Sequence, residues 1–264
     1  MSLNAKKSLG QNFLKSKKAI NAMMSAPKIG PKDIVIEIGP GKGALTRPLL
    51  ETGAHVIAFE LDHRMIDYLN ETLSDYIESG QLMLVHQDIL DVDIKMYTQG
   101  KPYKVVANIP YYITNLILRT FLSSIYQPTV MCLLIQKEVA ERIVSRDGKE
   151  SILSLSVKLY GTPQYIMKVG RQYFSPSPRV DSAVIMIDDI NRTSITRNQF
   201  EDTFFKIIKL AFSQKRKKAI KNLQKMSEKK IWEDIFSECE IDHGIRGEDI
   251  SFPQWLMIVD KYLK

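Results

Sequence analysis

The stretch Ile34-Val35-Ile36-Glu37-Ile38-Gly39-Pro40-Gly41-Lys42-Gly43 decides the fold class. A short aliphatic run suited to a buried strand ends in a loop carrying Gly39, Gly41 and Gly43. Glycines there let the backbone turn tightly and approach a ligand closely at the N-terminus of the next helix. The loop alone is ambiguous, because Gly39, Gly41 and Ala44 also satisfy the G-x-G-x-x-G/A spacing of dinucleotide sites. Outward from it, further β-rich runs occur at His55 to Phe59, Leu82 to Val85, Lys104 to Ala107 and Val130 to Ile135. Helix-like stretches, such as Arg64 to Glu78 and Asn115 to Tyr126, separate them. This alternation predicts an α/β fold with a doubly wound, mainly parallel sheet. Two later runs, Gln164 to Val169 and Ser182 to Ile187, flank a proline-rich loop and read as an antiparallel hairpin closing one sheet edge.

From Asp188 to Asn198 the chain turns polar, and beyond it the pattern is helical. Phe204, Ile208 and Ala211 recur at helical spacing, and Phe252 to Leu263 reads as a last helix with Pro253 in its first turn. We therefore expect one domain over residues 1–188 and a small all-α domain over 189–264.

At the end of the fourth run stands Asn108-Ile109-Pro110-Tyr111. Open α/β sheets bind ligands at the carboxyl ends of their strands, which is where this tetrapeptide falls. Pro110 fixes its own φ and biases Ile109 away from helix, holding the Ile109 carbonyl in one direction. Asn108 adds a side-chain carbonyl and Tyr111 a flat ring. Two acceptors beside an aromatic plate suit a planar base with an amino group, such as adenine; an Asn-Pro turn with a core tyrosine is the plainer reading. Glu60, closing the second strand, is placed to accept ribose hydroxyls, and Asp88, after the third, to accept from an adenine amine. An acid before the first glycine, the third glycine at Gly43 and a tetrapeptide with no role in hydride transfer favour S-adenosyl-L-methionine over a dinucleotide.

The net charge of +7 is uneven. Lys206 to Lys230 holds ten basic residues and one acid, Glu228, so the rest of the chain is slightly acidic. Such a segment reads as a polyanion-binding patch, because solvated helix faces usually interleave acids with bases. Lys206, Lys209, Lys215, Arg216, Lys217, Lys218 and Lys221 are the candidate phosphate contacts, with Lys6, Lys7, Lys15, Lys17 and Lys18 near the N-terminus. The two cysteines, Cys132 and Cys239, and the four histidines show no ligand spacing, so no metal is expected. No leader-like stretch or long apolar run is seen, and a cytoplasmic, membrane-free protein is expected.

Taken in order, the glycine loop, Glu60, Asp88 and Asn108-Ile109-Pro110-Tyr111 resemble the rRNA adenine N6,N6-dimethyltransferases. Ser8-Leu9-Gly10-Gln11-Asn12-Phe13-Leu14 looks like that family's N-terminal motif, and Gln136 to Arg142 its post-strand helix. Phe174-Ser175-Pro176-Ser177-Pro178-Arg179-Val180-Asp181-Ser182 resembles its proline loop, and Ala211 to Lys218 its basic turn. The resemblance implies a Rossmann-like class I methyltransferase sheet with a helical C-terminal domain. It also implies a cofactor site lined by Asn12, Leu14, Gly39, Gly41, Glu60, Asp88 and Asn108. In the catalytic elbow Asn108, Ile109 and Pro110 would grip the target amine, while Tyr111, with Phe174, stacks on the extruded base.

Two branches share these motifs. One dimethylates two adjacent adenosines near the 3′ end of small-subunit rRNA during ribosome assembly; the other dimethylates a large-subunit adenosine and confers macrolide resistance. Arg179-Val180-Asp181-Ser182, the Gln214 to Lys217 turn and Arg246-Gly247-Glu248-Asp249-Ile250-Ser251 look more like the first. Ser151-Ile152 and Ile250 depart from it. The expected partner is small-subunit rRNA in a pre-ribosomal particle, met by a monomer. A dinucleotide-dependent oxidoreductase and a non-catalytic RNA-binding factor are the rival readings.

Overall fold

The computed structural model describes residues 3–264; the side chain of Lys7 is also outside the described residues. The chain divides into two compact units, residues 1–140 with 162–190, and residues 141–161 with 191–264.

Among the described residues the first unit is built on nine strands: β1 (Phe13–Leu14), β2 (Ile34–Ile38), β3 (His55–Glu60), β4 (Leu82–His86), β5 (Lys104–Asn108), β6 (Val130–Gln136), β7 (Thr162–Val169), β8 (Phe174–Ser175) and β9 (Ser182–Asp188). Seven form one sheet in the order β4-β3-β2-β5-β6-β9-β7. The first five of these are parallel, and β9 runs antiparallel to both β6 and β7. The order reverses direction at β2, and ligands bind at such switch points. Central strands β2, β3, β5 and β6 are continuous aliphatic runs because helices cover both faces, and Val35, Ala58, Val106 and Leu134 are fully buried or nearly so.

The predicted helix over Arg64 to Glu78 is two helices, His63–Thr72 and Ser74–Glu78, broken at Leu73. Leu73 keeps φ at −129° while its side chain is 1% exposed, so core packing at Leu73 overrides helical continuity. The proline loop contains β8, which pairs antiparallel with β1 to form a separate two-stranded ladder.

The second unit is helical, with helices Ile152–Lys158, Phe200–Ala211, Ala219–Leu223, Lys229–Glu238 and Phe252–Tyr262. Its core holds Phe200, Phe204, Ile207, Trp232, Phe236 and Trp255, and Trp232 stacks on Tyr262 at 4.9 Å and 3°. The expected division at 188/189 differs in two respects: the boundary falls at 190/191, and residues 141–161 belong with this unit. The reason is a set of long-range links that local patterning does not reveal. Glu150 N–H donates to the Glu248 carbonyl at 2.7 Å, Asn191 N–H to the Tyr160 carbonyl at 2.8 Å, and Tyr160 is hydrogen-bonded to Glu201. Buried Asn222 donates its amide to the carbonyls of Ala211 (2.6 Å) and Gln214 (3.2 Å), fixing the turn that precedes Lys215.

Candidate active site

The aligned carboxyl ends of β2, β3 and β5 open onto a cavity of about 380 Å³ in the first unit. Asn12, Leu14, Gly39, Gly41, Glu60, Asp88, Asn108, Ile109, Pro110 and Tyr111 all line it. Gly39 adopts φ +67° with open space where a Cβ would stand, so a side chain there would project into the site. Gly41, at φ +55°, lies against the Phe13 ring, and a Cβ would come within 3.1 Å of that ring. Lys42 sits over the same ring, 4.9 Å from its centroid.

Glu60 is 7% exposed and accepts three backbone N–H groups: Leu61 (2.8 Å) and Asp62 (2.9 Å) on Oε1, and Gly41 (3.1 Å) on Oε2. A carboxylate offers about four lone-pair sites, so one further donor fits without displacing a partner. The expectation that Glu60 takes two ribose hydroxyls therefore requires the Gly41 amide to yield. Burial raises the Glu60 carboxyl's pKa against the lowering effect of these amides. Asp88 caps the turn after β4, accepting Leu90 N–H on Oδ1 at 3.0 Å; its other oxygen has no hydrogen-bond partner among the described residues.

Glu37 is 1% exposed and lines the cavity. Burial pushes its carboxyl up to about 8; the nearby Thr46 hydroxyl opposes the shift and the Glu60 charge reinforces it. Even so, Glu37 Oε2 and Thr46 Oγ1 are buried without a hydrogen-bond partner among the described residues. An orphaned buried acceptor in a cavity wall suits a cationic ligand group.

At the end of β5 the Asn108 amide Nδ2 donates to the Asn12 carbonyl at 3.1 Å. A carbonyl only accepts, so this contact orients the carboxamide and leaves Oδ1, which has no partner among the described residues. The Tyr111 hydroxyl and Ser182 Oγ are 2.7 Å apart, which pins the ring at the cavity wall; burial raises the phenol's pKa. Tyr112 beside it is 65% exposed.

Phe174 is not placed with these residues. It is 4% exposed, pairs with Leu14 across the β1–β8 ladder and belongs to the hydrophobic core, so the cavity is lined there by Ser175 instead. In the second unit Lys206, Lys209, Lys215, Arg216, Lys217, Lys218 and Lys221 are exposed. Lys229 and Lys230 pair with Glu233 and Asp234, whereas none of those seven has an acidic partner among the described residues. Lys15, Lys17 and Lys18 are also exposed, but Lys6 is engaged by Asp62 at 3.0 Å. Among the described residues no group of three or more His, Cys, Asp or Glu is placed to hold a metal ion, and no helix is long and apolar enough to cross a membrane.

Sequence reasoning missed the supporting residues Gln11, Asp62, Thr46 and Ser182. Gln11 stands inside a quoted motif and Asp62 two residues after Glu60, but nothing local shows that they meet.

Residues 2–264 match the family described as ribosomal RNA adenine dimethylase. The chain belongs to that family. Among its relatives is a ribosomal RNA small subunit methyltransferase A from Dehalococcoides mccartyi, 39% identical over 98% of this chain and 89% of that protein. Another, of the same description from Fusobacterium nucleatum, is 38% identical over 98% of both chains. The dimethylase fold recurs in the crystal structure of a dimethyladenosine transferase from Plasmodium falciparum, with TM-score 0.78 and 25% identity over 93% of this chain and 95% of that one. The 23S rRNA methyltransferase ErmE superposes with TM-score 0.79 over 96% and 100%, at 24% identity, and so shares the fold. Membership of the dimethylase family removes the oxidoreductase reading.

Proposed function

We propose that this protein transfers methyl groups from S-adenosylmethionine to N6 of two adjacent adenosines near the 3′ end of small-subunit rRNA, within an assembling particle. The observation that carries this reading is the Asn108 carboxamide, anchored through its nitrogen to Asn12 with its oxygen left for an amine. Relatives at 38–39% identity described as small-subunit methyltransferases support the choice of subunit, whereas the likeness to the 23S enzyme is one of fold.

The cavity fits the cofactor. Its volume and mainly apolar wall suit a nucleoside-sized ligand. Glu60 offers a ribose acceptor, Asp88 an acceptor for the adenine amine, and the orphaned Glu37 oxygen a hydrogen-bond acceptor for an ammonium. When bound, S-adenosylmethionine supplies an electrophilic methyl group on a sulfonium.

The chain's own residues then act on the target base. An adenine amine is a weak nucleophile because its lone pair is delocalised into the ring. Hydrogen bonds from its two N–H groups to Asn108 Oδ1 and the Ile109 carbonyl would favour a pyramidal nitrogen and free that lone pair. Pro110, with φ at −55°, keeps the elbow rigid, so the effect is one of positioning and preorganised dipoles. Tyr111, its hydroxyl held by Ser182, offers a ring for stacking on the extruded base. Lys15, Lys17, Lys18 and the seven exposed cations of the second unit supply phosphate contacts, which give affinity without reading sequence.

Incubation with undermodified small subunits, large subunits and naked RNA, followed by mass mapping of methylated nucleotides, tests the proposal. Dimethyladenosine at two adjacent small-subunit positions is expected; modification confined to large subunits would overturn the choice of target.

A further inference from the structure

We infer that Asp62 is a positioning residue: its buried carboxylate latches the N-terminal arm over the cofactor cavity and, through the arm, sets the orientation of the Asn108 carboxamide. This rests on the reading of Asn108 as the acceptor for the target amine.

Asp62 immediately precedes helix His63–Thr72, and its side chain is fully buried. Oδ1 accepts from Lys6 Nζ at 3.0 Å and Arg64 Nε at 3.0 Å; Oδ2 accepts from Gln11 Nε2 at 3.0 Å and Arg64 Nη2 at 2.6 Å. Arg64 alone, two residues away, already supplies a two-pronged partner for the charge. Lys6 and Gln11 arrive from 56 and 51 residues earlier and are not needed to cap the helix. What they do is fasten the arm. Gln11 is held at both ends, since its Oε1 accepts the Lys6 backbone N–H at 2.7 Å, and Arg64 Nη2 reaches the Asn4 carbonyl at 3.2 Å.

The next residue along the arm is Asn12, whose carbonyl takes the Asn108 amide and whose own Nδ2 donates to the Gly10 carbonyl at 3.1 Å. Beyond it, Phe13 and Leu14 join the two-residue ladder with β8. The acceptor that orients Asn108 is therefore suspended between two anchors, Asp62 on one side and β8 on the other. Asp62 also gives its own N–H to Glu60 Oε1, so one residue ties the ribose carboxylate to the catalytic carboxamide. With the arm released, no other hydrogen bond among the described residues fixes which end of the Asn108 amide faces the cavity. A half-turn would present N–H groups to an amine that itself needs an acceptor.

The test compares full-length wild type with Gln11→Leu, Asp62→Asn and Asn108→Ala in single-turnover methyl transfer to undermodified small subunits, at saturating cofactor and RNA. Calorimetric titration with S-adenosylhomocysteine gives cofactor affinity, and near-ultraviolet circular dichroism reports folding. Gln11→Leu leaves Asp62 paired with Lys6 and Arg64, so it decides the matter if Asp62→Asn fails to fold. The saturated rate should fall tenfold to a hundredfold in Gln11→Leu, the scale on which a misplacement of about 1 Å acts. An arm that only covers the cofactor would weaken titrated affinity and leave the saturated rate within twofold of wild type, which overturns the inference. Loss of activity in Asn108→Ala with full activity in Gln11→Leu likewise refutes the latch while sparing Asn108. Full activity in Asn108→Ala refutes the reading beneath it.

Discussion

The Asn108 amide nitrogen lies 3.1 Å from the carbonyl of Asn12, a residue 96 positions earlier in the chain. This one contact decides which end of the carboxamide is presented to the cavity. Asn108→Ala removes that acceptor and should lower the methyl-transfer rate by about 10²–10³, the cost of losing one preorganised polar group. Cofactor affinity should fall far less. Asn108→Asp should be as damaging, because a carboxylate facing the Asn12 carbonyl repels it; rapid-quench assays beside calorimetry measure both.

Glu37 makes stability depend on pH. Its folded-state value of about 8 lies above the ordinary 4.5, so between those values the folded protein keeps a proton that the unfolded chain has released. Its contribution is fully present below about pH 4.5 and is lost as pH rises through 8, by up to about 1.4 kcal/mol per unit. Urea unfolding of wild type and Glu37→Gln from pH 5 to 8.5 should show a flatter profile for the variant.

Phe174 belongs to the core, and its substitution should be felt in stability first. Phe174→Ala should cost about 3–5 kcal/mol, as for other buried aromatic truncations, and lower the thermal midpoint. Tyr111→Ala, by contrast, should lose about 1–3 kcal/mol of base stacking and cost less folding stability than Phe174→Ala, chiefly through the buried Ser182 hydroxyl it leaves unpaired. Thermal unfolding and RNA-bound turnover of the two variants separate the roles.

The basic turn predicts a salt slope. RNA affinity should fall linearly with salt on logarithmic axes, and Lys217→Ala or Lys221→Ala should each reduce that slope by about one. Filter binding from 50 to about 200 mM salt covers the range in which such contacts weaken most.

The sheet was legible because its signals are local. Each strand of the seven-stranded sheet contains a short apolar run, and Glu60, Asp88 and Asn108 stand at or just after strand ends in the sequence itself. The hairpin of β7 and β9 was readable for the same reason. Three features were not. Phe174 is buried by a ladder only two residues long, too short to leave a pattern. Residues 141–161 are claimed by the second unit through Glu150, Tyr160 and Asn191, whose partners lie far along the chain. The meeting of Gln11 with Asp62 spans 51 residues and exists only once the arm has folded back. What a single sequence conveys here is which groups stand at the site; which of their atoms remain free is settled by tertiary contacts.

Asn222 carries the last consequence. Its buried amide binds two carbonyls at the end of helix Phe200–Ala211, so the backbone leading into Lys215 is already ordered in the free protein. A flexible run of lysines would lose chain entropy each time it met a nucleic acid. Here much of that loss occurs once, during folding, and an arriving phosphate backbone meets a prearranged row of cations.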